Sequence, residues 1–250
     1  MRTIIRCFSV IRTLNIDVTL ESPKSCMVIA ETDQLCGMIL PFDFRTDPYL
    51  ILDFTARNME LDGLDLANTA VFTDYVFGKL RRQGAVVGVG GYNENRVIYR
   101  RSPHFNQAAA SRCIHLGVDL WAEAGTPVFA PLDGVVHSFQ DNNHFGDYGP
   151  TIILEHRLDE KPLFALYGHL SRQSLVGLTV GKPFRAGEKV AEIGPYPENG
   201  DWPPHLHFQL MTDLWGHTGD FPGVCSLADR ERYLVICPNP NRLLQIPGLE

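Results

Sequence analysis

The sequence has no long hydrophobic run and no cluster of basic residues. Every apolar run is shorter than the roughly 18–20 residues that a membrane-spanning helix needs. The 250 residues include 22 lysines and arginines against 29 aspartates and glutamates, and the formal net charge is −7. Because this charge repels the phosphates of nucleic acids and anionic lipids, we expect neither a nucleic acid nor a membrane as a partner.

The sequence also lacks closely spaced cysteine pairs, since none of its six cysteines forms a CxxC motif. A chain of this length can bury a sizeable core without disulfides, so we expect free thiols and a reducing compartment. Near the N-terminus, Arg6 and Arg12 enclose five residues, whereas a secretion signal carries an apolar segment of about 7–15 residues. These observations predict a cytoplasmic protein, with a periplasmic or secreted one as the alternative. The cysteines are Cys7, Cys26, Cys36, Cys113, Cys225 and Cys237.

A dinucleotide-binding motif is absent as well. The glycine-rich run VVGVGGYNENR at 86–96 has Asn93 where GxGxxG requires its last glycine, and we interpret the run as a turn. Residues 1–66 contain no motif that points to chemistry. We therefore divide the chain into an N-terminal region of unclear fold, partly strand, at 1–66 and a second domain at 67–250.

Short β-type runs separated by turn residues recur through the chain. The turns carry sequences such as GTP at 125–127 and DG at 133–134. This pattern is typical of a mainly β fold with an antiparallel sheet, and not of alternating strands and helices. The predicted strands cover 26–30, 50–54, 134–139, 151–156, 163–170, 189–194 and 233–237.

One amphipathic helix is predicted after Asn68 or Thr69, since either residue can cap its N-terminus. Apolar residues recur at helical spacing, basic residues favour the C-terminal end, and Gly84 ends the helix. We expect this helix to pack on the sheet. The apolar residues are Phe72, Tyr75, Val76 and Leu80.

Residues 203–210, PPHLHFQL, place two histidines in an otherwise apolar run. Side chains of a strand alternate between its two faces, so His205, His207 and Gln209 share one face. The leucines and the phenylalanine share the other face, which has the character of a core face. The pattern allows a metal site, but it also fits two polar side chains on a half-buried strand.

A second strand-like segment, CIHLGVDLW at 113–121, places His115 and Asp119 on one face with Gly117 between them. Histidine nitrogens and carboxylate oxygens bind zinc, and a catalytic zinc takes three protein ligands and keeps one position open. Together with the two histidines at 203–210, four candidates are present. One histidine could therefore stand beside the metal as an acid or base.

A third segment, LYGHLS at 166–171, ends an apolar run with His169. An ordinary interpretation exists here too, because His115 and Asp119 could be a simple hydrogen-bonded pair. The coincidence of three histidine-bearing segments favours a metal site. We interpret the remaining histidines as ordinary polar residues; they are His104, His137, His144, His156 and His217.

Taken together, these segments resemble the lysostaphin-type (LytM-like) zinc metallopeptidases, and the resemblance covers about 112–210. The subgroup also found fused to class-III aminotransferases looks most similar. The resemblance implies an antiparallel β-sheet with an open groove, a duplicated hybrid motif that is barrel-sandwich-like, with a few short helices. Gln209 stands where the family commonly has an acid. The similar segments are HLGVDLWAEAGTPVFAPLDGVV at 115–136, DYGPTIILEH at 147–156, YGHLS at 167–171 and PPHLHFQL at 203–210.

The resemblance also implies roles for individual residues. His115, Asp119 and His207 correspond to the ligands of one zinc ion per chain, within a metallopeptidase domain at 67–250. His205 corresponds to the general base, and His169 to a second catalytic histidine that helps to stabilise the transition state. The residues expected to form the walls of the groove are Trp202, Tyr148 and Tyr196.

The function implied by the resemblance is that of a zinc-dependent metalloendopeptidase acting through a metal-activated water. We expect small or cell-wall-derived peptides as substrates, and soluble peptides in preference to intact cell wall. Two alternatives stay open: a non-catalytic homologue that regulates a partner bound in the groove, and a zinc amidohydrolase acting on a non-peptide amide. Because all five residues with a chemical role are retained, we favour the enzyme.

Overall fold

The computed structural model describes residues 38–102, 105 and 111–249. The predicted strand at 26–30 and His104 lie outside these residues, as do the first three cysteines. The other three cysteines are free thiols, namely Cys113, Cys225 and Cys237. No helix in the described ranges is both long and apolar enough to cross a membrane.

Strands dominate the described part of the chain. The strands are β1 (Tyr49–Leu52), β2 (Val87–Gly90), β3 (Arg112–His115), β4 (Val118–Trp121), β5 (Pro127–Phe129), β6 (Gly134–Asn142), β7 (Gly149–Leu158), β8 (Lys161–Gly168), β9 (Pro183–Phe184), β10 (Lys189–Glu192), β11 (Leu206–Met211) and β12 (Val224–Ser226). The helices are α1 (Thr69–Gln83), α2 (Arg230–Ile236) and α3 (Asn241–Leu244).

The main sheet has eight strands in the order β1-β2-β4-β11-β8-β7-β6-β9. The pair β1 and β2 is parallel, and the other pairs in this sheet are antiparallel. Two smaller antiparallel sheets pair β10 with β5 and β12 with β3. The prediction of a mainly β, mainly antiparallel fold is confirmed. The sheet stays open between β1 and β9, so the described residues form no closed barrel. The boundary between 66 and 67 stays a prediction.

Side-chain alternation divides the residues of β11 between the two faces of the main sheet. Leu206, Phe208 and Leu210 are fully buried in the larger hydrophobic core. His207 and Gln209 therefore point to the opposite face, which is also covered and leaves both of them buried. This arrangement puts polar side chains into an interior where each needs a partner.

Helix α1 forms where the sequence predicts it. The Asn68 side chain accepts the backbone N–H groups of Ala70 and Val71, and Gly84 ends the helix in the left-handed region at φ +67°. Its apolar face packs with Phe54 and Trp121 in a second core. The N-terminal part of the described chain is thereby attached to the face of the sheet that carries the histidines.

Two local predictions are wrong. Residues 233–237, predicted as a strand, belong to helix α2 and its end. Cys237 is buried while Val235, two residues earlier, is exposed, and this does not fit the alternation of a strand. The segment 113–121 is not one strand, because β3 pairs with β12 whereas β4 belongs to the main sheet. A short apolar run carries too little periodicity to distinguish these cases.

Replacing Phe72 by alanine is expected to lower the free energy of unfolding by about 3–5 kcal/mol, because the fully buried ring packs against Phe54 and Trp121. Urea unfolding followed by circular dichroism measures this change. Phe145→Ala is the matched control, since that ring is 40% exposed, and its effect should stay below about 1 kcal/mol. Equal losses in the two variants would contradict the proposed packing of α1.

Candidate metal centre

Strand pairing brings the two histidine segments together. β11 runs antiparallel to β4, and the register sets His207 opposite Asp119. His115 is the last residue of β3, two residues before Gly117. A Cβ at Gly117 would lie 2.7 Å from the His207 ring and 2.7 Å from the backbone oxygen of Phe208. Only glycine at this position lets the ring lie against the backbone between β3 and β4.

The side chains of His115, Asp119 and His207 converge to the distances that a metal ion requires. His115 Nε2 lies 3.0 Å from His207 Nδ1 and 3.2 Å from Asp119 Oδ1, and His207 Nδ1 lies 3.1 Å from the same oxygen. Ligands of a tetrahedral zinc with bonds of about 2.0 Å stand roughly 3.3 Å apart. The three donor atoms therefore fit one face of a zinc coordination sphere.

Hydrogen bonds fix which nitrogen of each ring faces the cluster. His115 donates its Nδ1–H to the backbone oxygen of Gly91 at 2.8 Å. His207 donates its Nε2–H to Gln209 Oε1 at 3.0 Å. Both rings thus turn an unprotonated nitrogen toward Asp119. Three lone-pair donors that face each other in this way favour a bound cation.

Arg96 balances the charge of the buried carboxylate. The fully buried guanidinium donates from Nη1 to Asp119 Oδ2, and from Nε to Glu94 Oε2 at 2.7 Å. It also donates to the Tyr99 hydroxyl at 3.2 Å and to the Gly91 backbone oxygen at 3.1 Å. One oxygen of Asp119 is therefore held by Arg96, and the other faces the histidines.

Burial and neighbouring charges set the protonation of this cluster. Desolvation, with Arg96 adding to it, lowers the pKa of His115 to about 3. Burial alone would raise the pKa of Asp119, but His115 and Arg96 outweigh it and hold that pKa well below its usual value. At neutral pH the cluster therefore presents a neutral imidazole and an ionised carboxylate, the states that bind metals.

Two further histidines lie beside the cluster. His205 donates its Nδ1–H to the backbone oxygen of Pro203 at 2.7 Å, and His169 donates its Nδ1–H to that of Asn199 at 2.9 Å. The Nε2 atom of each ring is left unprotonated. His205 Nε2 lies 4.0 Å from Asp119 Oδ1, and the rings of His169 and His205 are 4.2 Å apart.

His169 is held in an unusual backbone conformation, with φ at +63°. A non-glycine residue in this region stores of order 1–3 kcal/mol of strain, which the surrounding structure must hold. Its N–H donates to the oxygen of Tyr148 at 2.8 Å, and its oxygen accepts from Gly194 at 2.8 Å. Burial, with His205 adding to it, lowers the pKa of His169 well below its usual value, and burial lowers that of His205 to about 4.

A cavity of about 120 Å³ lies over these side chains. Tyr148 and Trp202, both predicted as groove walls, line it and are largely buried. Tyr196, the third predicted wall, lies outside the residues that line this cavity and is 58% exposed. His217, interpreted as ordinary, lines the cavity as well.

Several contributing residues escaped the analysis of the sequence. Gly91 and Arg96 belong to the run interpreted as a turn, yet they hold His115 and Asp119. The glycine run and the neighbouring arginine were the available signal, but no local pattern distinguishes a buried arginine from an exposed one. The backbone oxygens that orient His205 and His169 carry no sequence signal at all.

Residues 113–217 match the sequence model of peptidase family M23. The chain carries a peptidase family M23 domain. This domain includes the three clustered residues and both further histidines. The resemblance to lysostaphin-type peptidases is thereby confirmed, whereas similarity to the aminotransferase-fused subgroup stays a prediction.

Curated relatives of the M23 domain come from two bacterial genera. A DD-carboxypeptidase/endopeptidase Mpg of Neisseria meningitidis serogroup B is 31% identical over 125 residues, which are 48% of this chain and 26% of that protein. An uncharacterized metalloprotease of Haemophilus influenzae is 31% identical over 137 residues, which are 52% of this chain and 27% of that protein. The chain thus spans about a quarter of the length of these relatives.

Solved structures similar to the M23 domain include two catalytic domains. That of lysostaphin from Staphylococcus simulans is 27% identical, with 48% of this chain and 80% of that chain covered and a TM-score of 0.34. That of the prophage-encoded M23 protein EnpA from Enterococcus faecalis is 26% identical, with 42% and 73% covered and a TM-score of 0.34.

Gly117→Ala is expected to weaken Zn²⁺ binding about tenfold or more, because the added Cβ would displace the His207 ring from its position beside Asp119. Titration of Zn²⁺ against a competing chelator measures the affinity. Gly78→Ala in α1 is the control, since a Cβ there would meet only the flexible side-chain ends of Arg82 at 3.2 Å and Arg81 at 3.9 Å. Unchanged affinity in Gly117→Ala would show that the ring position does not control metal binding.

Proposed function

We propose that this chain is a zinc-dependent metallopeptidase that hydrolyses peptide bonds in small or cell-wall-derived peptides. The observation that carries the proposal is the convergence of three donor atoms, from His115, Asp119 and His207. Two histidines with unprotonated Nε2 atoms stand beside them. The M23 domain supports the same class of reaction.

Zinc fits the donor set that these residues offer. Two imidazole nitrogens and one carboxylate oxygen are borderline ligands that suit this ion, and three protein ligands are typical of catalytic sites. Arg96 holds the second oxygen of Asp119, so that carboxylate would bind through one oxygen. When bound, zinc would supply Lewis acidity that polarises a peptide carbonyl and acidifies water.

His205 is the proposed general base. Its Nδ1–H is donated to Pro203, so Nε2 is the atom that can accept a proton. The ring stacks on Trp121 with centroids 3.9 Å apart and an interplanar angle of 16°, which holds Nε2 toward the cluster. Because the pKa of His205 is lowered, Nε2 is free to take a proton from the attacking water at neutral pH.

His169 is the proposed residue that stabilises the transition state. In the neutral ring its Nδ1–H is donated to Asn199, so Nε2 is an acceptor and cannot donate to a negatively charged oxygen. It becomes a donor once Nε2 carries a proton. The ring centroids of His169 and His205 are 4.2 Å apart, so both rings stand at the same reaction centre. In the proposed reaction the proton that His205 accepts from water passes to the nitrogen of the leaving amine.

Variants of the five residues should separate metal binding from catalysis. His115→Ala is expected to lose bound zinc, whereas His205→Ala and His169→Ala should retain it and lose turnover by about 10²–10⁴-fold, the usual contribution of a general acid or base. Elemental analysis and peptide hydrolysis give the two readouts.

His156→Ala serves as the control, because that buried histidine bonds to Asp133 and does not line the cavity over the cluster. It should retain both zinc and turnover in the folded protein. Equal zinc content in His115→Ala and the unaltered protein would refute the assigned ligands. Full turnover in His205→Ala or His169→Ala would refute the assigned role of that residue.

We also propose that the protein acts in the cytoplasm on soluble peptides. Its three described cysteines are free thiols, which fits a reducing compartment. Cell fractionation should recover the protein mainly from the cytoplasm, and the zinc-loaded protein should cleave soluble cell-wall peptides without clearing intact walls. Recovery from the periplasm together with clearing of walls would overturn this proposal. Cleavage of non-peptide amides alone would instead favour an amidohydrolase.

A further inference from the structure

Gln209 is a fully buried amide beside one of the proposed metal ligands. It lies two residues after His207 on β11, so the two side chains share a face of the strand. Its Oε1 accepts the His207 Nε2–H at 3.0 Å, and its Nε2 donates to the backbone oxygen of Pro222 at 3.2 Å and to Cys237 Sγ at 3.6 Å. Every polar atom of the amide therefore has a partner.

The partners determine which end of the amide faces the histidine. The backbone oxygen of Pro222 can only accept, so the NH₂ group of Gln209 must point toward it. Oε1 then faces His207, and it accepts only if His207 Nε2 carries the proton. A neutral imidazole holds one proton, so Nδ1 keeps its lone pair. That nitrogen is the one that lies 3.1 Å from Asp119 Oδ1.

We propose that Gln209 is a positioning residue for His207. Its NH₂ group donates to the Pro222 carbonyl, which leaves Oε1 to accept the His207 Nε2–H, so that Nδ1 of the ring faces the metal. The metal-binding part of this inference rests on the proposed function. The expected tautomer of His207 in the metal-free protein does not depend on the proposed function. Gln209 thus takes the place of an acid without adding a negative charge to the site.

The competing contact to the same ring nitrogen is weaker. The Tyr148 hydroxyl lies 3.4 Å from His207 Nε2, at the long limit for such a bond. The hydroxyl lies in space that only glycine leaves open at position 223, because a Cβ there would lie 1.9 Å from it. The shorter bond to Gln209 therefore orients the ring.

The NH₂ group of Gln209 bonds to residues that lie outside the M23 match, Pro222 and Cys237. Cys237 is fully buried, and its backbone oxygen accepts the Tyr92 hydroxyl at 2.5 Å. Tyr92 adjoins Gly91, whose oxygen orients His115. The hydrogen-bond partners that orient His115 and His207 are thus connected through segments on either side of residues 113–217.

Nitrogen-15 NMR of the histidine rings tests the inference in the metal-free protein. In the unaltered chain we expect a proton on Nε2 of His207 and none on Nδ1. Gln209→Met removes the acceptor at similar size and should give a mixture of tautomers. Gln209→Glu keeps an acceptor and should keep the Nε2–H form. Gln140→Met, the same change at an exposed strand position, is the matched control.

Chelator competition provides a second measurement on the same proteins. Gln209→Met should weaken Zn²⁺ binding about 10–100-fold, while Gln209→Glu and Gln140→Met should change it less than tenfold. A proton on Nδ1 in the unaltered protein would overturn the inference, as would unchanged tautomer and affinity in Gln209→Met. If Gln209→Met does not fold, the tautomer of the unaltered protein and the Gln209→Glu variant still decide. Absence of zinc binding with the expected tautomer would refute the proposed function alone.

Discussion

The antiparallel register between β4 and β11 is the constraint on which the candidate site depends. It sets His207 opposite Asp119, and the bend at Gly117 adds His115 from β3. A slip of one residue would turn His207 to the face where Leu206 and Phe208 now pack, because strand neighbours alternate. Burial of apolar side chains on one face thus positions the polar cluster on the other.

The outer contacts of the cluster come largely from chain segments that flank the M23 match. Gly91 orients His115, Arg96 holds one oxygen of Asp119, and Pro222 sets the amide that orients His207. Each contact leaves a single donor atom directed at the centre. A buried cation beside Asp119 also limits the negative charge around the proposed metal. The positions of the candidate ligands therefore depend on residues outside the matched segment.

Local sequence patterns predicted the structure correctly where a residue acts through its own side chain or backbone conformation. The cap and the glycine stop of α1 were predictable, because Asn68 and Gly84 act through their own side chain and backbone freedom. The strand at 233–237 was wrong, since a short apolar run fits a helix as well. Arg96 was missed because burial of a charge depends on partners far away in sequence, and no local pattern records them.

The sequence by itself determined the chemistry that the chain can offer: alternating histidines on strands, a glycine between His115 and Asp119, and the lysostaphin-type order of segments. Spacing of two residues puts side chains on one face of a strand whatever the fold. Only the tertiary structure decided which ring nitrogen faces the centre and which of the predicted walls line the cavity. The choice of ring nitrogen follows from hydrogen bonds to backbone oxygens, most of them in distant segments, and such oxygens are the same in every residue type.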